Sequence, residues 1–308
     1  MYFPYLRGKQ FELIALREMS PIMSDNKDKI SPVIEPVRNS STFNTTIKEL
    51  ASNNVNFNII VNPKVGDLVN NTETILDIIK EELSNTENFQ IAIIIDDKTN
   101  IEEVISLIND YNLSYNGLTL IHNSIIPDIE NIIANNNIAY NLINSQKTSK
   151  RYHRKFNDYT RVELDDYFIS QQKNSDYLTA EDSFFSEEHL YYNEEGYIGF
   201  SDFLTIGEPY SESGFLPYAV AIHISYADTE NKIRIKHFVS DSNEDTSDIA
   251  GKFAEALNKL IEWANNNNIN SKAMDVFRDL NNTKHFPGLG SIKKLSIMHH
   301  IELVLNLI

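Results

Sequence analysis

The chain has 308 residues, with 27 Lys and Arg against 44 Asp and Glu, a net charge of −17 and no Cys. That balance excludes a generic nucleic-acid-binding surface, which needs clustered Lys and Arg to neutralise phosphates. The missing Cys excludes disulfides, thiolate nucleophiles and cysteine-ligated metal centres.

At this length the chain can bury a large core without a metal or disulfide. Its longest strongly apolar run, Ile91–Ile95, is far short of a membrane span of roughly 20 residues. Met1–Gly8 has no basic stretch followed by an apolar one, so no secretory leader is expected and the default location is cytoplasmic.

In chain order, short β-branched runs fall at Ser31–Val37, Phe57–Asn62, Gln90–Asp96, Leu118–His122, Ile138–Asn144, Thr160–Leu164, Ile198–Ile206 and Ala219–Ser225. Helical patterns separate the early ones: Thr45–Leu50, Glu73–Leu83, Ile101–Ile108 and Ile125–Ala134. Thr99-Asn100-Ile101-Glu102 reads as a capping box that starts the third of these. Alternating strands and helices with continuously apolar strands predict a parallel sheet covered on both faces. Eight runs predict an α/β fold of the (β/α)8, TIM-barrel-like kind; a doubly wound open sheet is the alternative.

The second half is irregular. Gln171–Tyr197 is acidic, aromatic and without a barrel-length helix. Lys232–Phe238 alternates and follows Ala219–Ser225 across a polar turn, as a hairpin would. Ser247–Ala264, Ala273–Leu280 and Ile292–Ile308 read as helices. The whole is expected to be one barrel-like domain over 1–308. It would have a helical lead-in at 1–30, an acidic aromatic insertion at 171–197 and a C-terminal helical segment at 247–308.

Tyr5-Leu6-Arg7-Gly8-Lys9-Gln10-Phe11-Glu12 and Ser31-Pro32-Val33-Ile34-Glu35-Pro36 resemble the phage beta-protein family and its bacterial relatives. His285-Phe286-Pro287-Gly288-Leu289-Gly290 and Met298-His299-His300-Ile301 resemble the same group, so the resemblance runs along the chain. It implies a partner-binding component of a two-gene defence or toxin-control system, and brings no catalytic residues with it. Phe184, Phe185, Tyr191 and Tyr192, in the charged insertion, are of the types that anchor interfaces, and a basic protein partner is expected there.

The second functional reading is a barrel enzyme acting by metal-assisted hydrolysis or transfer on a phosphorylated small molecule or nucleotide. Barrel chemistry sits at the C-terminal ends of the strands. Those ends offer Glu35, Asp97, His122 and Asp202 as catalytic candidates, and Asp96, Asp97, Asp165 and Asp202 as oxygen ligands for a possible divalent metal. Glu35 stands out, because a carboxylate between Ile34 and Pro36 needs a partner; a structural pair with Arg7 or Lys9 is the plainer reading. Ligand-binding candidates are Arg7, Lys9, Lys64 and Asn144, with Arg151, Arg154 and Lys155 from the basic block Lys147–Lys155, which holds five Lys or Arg and no acid. The competing reading of each Asp and Asn is a turn former, and of the block a solvated loop. Gly288-Leu289-Gly290 resembles part of a phosphate loop but follows no strand, and a tight turn before the last helix is the plainer reading. Lys293 and Lys294 sit in the first turn of the last helix, the wrong end for cations, which suggests an anion or a contact with an acidic surface near this end. No GxSxG, Walker A, GxGxxG or HExxH motif is present.

Overall fold

The computed structural model describes residues 1–212 and 216–308. Strands and helices alternate from the first residues. β1 (Tyr2–Leu6), α1 (Gln10–Asp25), β2 (Val33–Ile34), α2 (Ser41–Ser52), β3 (Phe57–Ile60) and α3 (Thr72–Glu82) come first. Then follow β4 (Phe89–Ile95), α4 (Ile101–Asp110), β5 (Leu118–His122), α5 (Ile129–Asn135) and β6 (Ile138–Asn144). After them come α6 (Lys150–His153), β7 (Arg161–Leu164), β8 (Asp182–Ser186), α7 (Glu188–Tyr191) and β9 (Gly199–Asp202). The chain ends with β10 (Ala221–Ala227), β11 (Ile233–Val239), α8 (Ile249–Asn266), α9 (Lys272–Thr283) and α10 (Leu289–Leu307).

The chain divides into two compact units. The first, residues 1–166 with 188–203 and Ile308, is a closed parallel barrel in the order β1-β2-β3-β4-β5-β6-β7-β9. Pairing of Tyr2 with Phe200 and of Phe3 with Ser201 closes the ring, which excludes the open sheet. The fold is therefore a (β/α)8 barrel, with two changes to the expected strands. Tyr2–Leu6 is the first strand, so 1–30 is helical only from Gln10. Ala219–Ser225 is not in the barrel at all.

Strand alternation sends Phe3, Tyr5, Val33, Ile60, Ala92, Ile94, Ile121, Leu142, Val162, Leu164 and Phe203 into one interior cluster. Near the strand starts the interior turns polar, where the Thr119 hydroxyl donates to Asn58 at 2.6 Å and the Asn58 amide donates to the Ser31 hydroxyl at 2.9 Å. Every buried polar atom of this trio that needs a partner finds one inside the barrel. At α4 the cap is Asn100, whose side chain accepts from the Glu103 amide at 3.3 Å. Thr99 instead bonds back to Asp96 at 2.8 Å, one residue away from the expected capping box.

The second unit, residues 167–187 and 204–307, is built on a three-stranded antiparallel sheet in the order β10-β11-β8. β10 and β11 form the expected hairpin, with Ser225 opposite Ile235. Helices α8, α9 and α10 complete the unit. The adjacent His299 and His300 on α10 are both buried. His299 donates from Nε2 to the Ser225 carbonyl at 2.8 Å and takes the Ser271 hydroxyl at Nδ1, 2.7 Å away. His300 Nδ1 lies 3.0 Å from the Ser225 hydroxyl. Both histidines fix α10 to the sheet and α9. Among the described residues no helix is long and apolar enough to cross a membrane.

Candidate functional site

The predicted site residues are placed by the alternation of the strands. Glu35 points the same way as Val33, into the barrel at its C-terminal end, and is fully buried. Its carboxylate accepts from the Tyr5 hydroxyl at 2.7 Å, from the Lys64 backbone amide at 2.7 Å and from the Arg7 guanidinium. That guanidinium also lies 5.3 Å from the centres of both the Tyr5 and Phe203 rings. The pair with Arg7 is thus the structural one. The Lys64 ammonium reaches Asp96 at 3.1 Å and Thr99 at 2.9 Å. Burial pushes Asp96 up, but the Thr99 hydroxyl and Lys64 outweigh it and hold its carboxyl below the usual range.

His122 and Asp202 lie one residue away from the inward-facing Ile121 and Phe203, so they face outward. Asp202 accepts from the Tyr2 hydroxyl at 2.8 Å. His122 donates from Nε2 to Asn141 at 3.2 Å and receives the Tyr152 hydroxyl at Nδ1, 2.9 Å away. Burial drives its imidazole down to about 3, so it is neutral. Asp97 is exposed after β4, Lys9 precedes α1, and Asn144, the last residue of β6, donates to the Asn123 side chain at 3.1 Å. Arg151 is exposed and Lys155 pairs with Glu130 at 2.9 Å. The structure does not bring Glu35, Asp97, His122 and Asp202 together. The reason is the period of two: equivalent strand ends differ by one residue and so by one face.

Another group does converge. A cavity of about 420 Å³ in the barrel unit is lined by Ser145, Thr148, Lys150, His153, Arg154, Arg161, Glu163, Glu188, Glu195 and Tyr197. It exists because the outer layer is thin there. The crossover after β6 holds only the one-turn α6 and a 3-10 turn, and the chain returns to β9 through the one-turn α7. Arg161 and Glu163 alternate with the inward Val162 and Leu164, and so face this gap.

Arg161 builds the walls. Its guanidinium donates to the carbonyls of Gly196 at 3.1 Å, His153 at 3.1 Å and Glu195 at 2.5 Å, and to the Asn157 side chain at 2.6 Å. It also covers the Tyr197 ring at 4.4 Å. Gly196 has φ +79°, and a Cβ there would meet this guanidinium at 2.9 Å, so the turn requires glycine.

The proton positions follow from the bonds. The Thr148 hydroxyl spends its hydrogen on the Asn144 carbonyl at 2.6 Å, so it can only accept from His153 Nε2 at 2.8 Å. His153 Nδ1 is then bare and accepts the Tyr197 hydroxyl at 2.7 Å. Burial, aided by Arg161 and Lys150 against Glu163, lowers His153 and keeps it neutral. Burial, with Glu163 beside it, pushes Tyr197 up to about 12. The Ser145 hydroxyl donates to Glu163 at 2.7 Å. Lys150 and Arg154 are exposed and form no ion pair with a described residue. Ligand oxygens of Glu163, Glu188 and Glu195 all lie within 4.8 Å of one another, the one such set among the described residues. The aspartates expected to hold a metal do not form one.

Arg154 was foreseen as a ligand-binding residue; Arg161, Glu163 and Tyr197 were not foreseen in this role. One signal was available. Thr160–Leu164 alternates polar and apolar, unlike the continuously apolar strands before it, and a parallel strand that alternates has one face uncovered.

These features define a (β/α)8 barrel with a mixed-charge cavity on the outer side of β7. No family model and no curated protein matches the chain. Among solved structures, it is similar to an N-acetylneuraminate lyase from Mycoplasma synoviae. The two are 11% identical with a TM-score of 0.39, over 66% of this chain and 68% of that one. At that level the likeness adds nothing to the barrel already described.

The expected partner-binding role in a defence or toxin-control pair is corrected. The aromatic insertion meant to carry it is divided between the units: Phe184 and Phe185 lie on β8 in the second unit, Tyr191 and Tyr192 in the barrel unit. Phe185 is 2% exposed and packs on His300 at 5.0 Å. Tyr192 packs on Phe200 and accepts the Met1 ammonium at 3.1 Å.

Proposed function

We propose that the chain is a barrel enzyme that takes a small phosphorylated molecule into the cavity beside β7 and moves a proton there through Tyr197 and His153. The observation that carries this reading is the convergence of two unpaired cations, Lys150 and Arg154, on the same cavity as a neutral His–Tyr pair with defined proton positions. Lys150 and Arg154 hold the phosphate, Arg by paired N–H groups. The Tyr197 oxygen takes the substrate proton as its own passes to His153 Nδ1. Glu163, whose charge favours a protonated His153, stabilises the result. The lining holds three cationic and three carboxylate side chains. That balance suits a phosphate with a divalent counter-ion, which Glu163, Glu188 and Glu195 would hold.

The test is turnover of a panel of sugar phosphates and nucleoside monophosphates, with and without Mg²⁺. The reading predicts one turned-over class, a kcat lower by about 100-fold in His153→Gln, and a raised KM in Lys150→Met/Arg154→Met. Kinetics unchanged in both variants, or a panel with no turnover, would overturn it.

A further inference from the structure

We propose that the second unit carries a separate binding site for a small monoanion on an apolar body, the chemistry of an aromatic or short aliphatic carboxylate. The site is a cavity of about 330 Å³ within that unit, at the low end of the range for small-molecule pockets. Phe168, Ile206, Val220, Leu289 and Ile292 supply apolar walls. Asn174, Thr205, His223, Lys293 and Ser296 supply the polar groups.

Three observations point to a ligand. The first is a pair of hydroxyls on largely buried residues. Thr205 is 5% exposed and Ser296 4%, and neither side chain bonds a described residue. Both residues line the cavity, so each hydroxyl is free to donate or accept there. The second is charge. Lys293 is the one charged residue among the described lining, no described carboxylate faces it there, and it forms no ion pair with a described residue. It also stands near the positive end of the 19-residue α10, where a cation is unfavourable unless an anion is close. The third is His223. Its Nδ1 is held 2.7 Å from Nδ1 of His237, which leaves Nε2 as its uncommitted nitrogen, and the residue lines the cavity.

One lysine balances one negative charge, which favours a monoanion over a polyphosphate. The apolar walls favour an aromatic or short aliphatic body.

The test is calorimetric titration of the whole chain with benzoate, with neutral benzamide as its isostere. Benzoate is expected to bind, benzamide at least about tenfold more weakly, and Lys293→Met to cost benzoate a similar factor. Thr205→Val and Ser296→Ala, whose folding is checked by circular dichroism, should each weaken it too. Lys150→Met/Arg154→Met should bind benzoate like the parent, which separates this site from the barrel cavity. Equal binding of benzoate and benzamide, an unchanged Lys293→Met, or no saturation by about 10 mM would overturn the proposal. The last result would mean a cavity filled by water only.

Discussion

Glu35 shows how one residue can look catalytic and be structural. Its three donors come from β1, from the residue after β1 and from the segment after β3, so the carboxylate ties three parts of the barrel together at 0% exposure. Removing one partner of such a pair leaves a buried charge and costs about 3 kcal/mol or more. Arg7→Met should therefore lower the urea midpoint sharply, and Arg7→Met/Glu35→Gln should recover part of the loss. A double variant worse by the sum of the two single losses would contradict this. The buried histidines make a second prediction at this scale. Burial holds His122 and His223 down to about 3, and His237 and His299 to about 4. In the unfolded chain they take protons near 6.5, so between 6.5 and about 3–4 the unfolded state binds more protons. Stability is then fully present above pH 6.5 and is lost as pH falls, by up to about 1.4 kcal/mol per pH unit for each histidine. Urea midpoints at pH 7 and 5.5 measure the slope, and His122→Phe should reduce it. An unchanged slope in that variant would mean that His122 is not held neutral.

At the scale of elements, the barrel depends on close approach between its first and last strands. Gly199 on β9 sits so near β1 that a Cβ would lie 2.2 Å from the Met1 carbonyl oxygen. In Gly199→Ala the new methyl would run into the Met1 backbone, with the buried Phe3 ring edge 2.9 Å away. The substitution should unfold the barrel or lower its thermal midpoint by several degrees, read by circular dichroism. A midpoint like the parent's would refute the closure geometry. The same elements show what the sequence disclosed. The strands of the first half are apolar on both faces and were legible as buried parallel strands. Tyr2–Leu6 was missed because a Pro and two Tyr interrupt the β-branched pattern. Ala219–Ser225 was given to the barrel because a run of alternating apolar residues does not reveal which sheet it joins; its antiparallel partner β11 was the better clue. The cavity beside β7 was half legible. Its cations stand out as a block, whereas His153–Tyr197 and Glu163–Glu195 are pairs made by the chain's return from the second unit, at separations no local pattern carries.

For the whole molecule, the net charge of −17 is compatible with local cation sites in both units: Lys150 and Arg154 in one, Lys293 in the other. Each faces a cavity rather than a broad surface, which fits small anionic ligands and not a nucleic-acid strand. The central claim is that the barrel cavity holds a phosphate through Lys150 and Arg154. The measurement that tests it most directly is calorimetric titration of the whole chain with a phosphorylated compound from the turnover panel, beside its unphosphorylated counterpart. The account predicts that loss of the phosphate weakens binding at least about tenfold, and that Lys150→Met/Arg154→Met abolishes this preference. Equal affinity for the two compounds, or a preference that survives the double substitution, would contradict it.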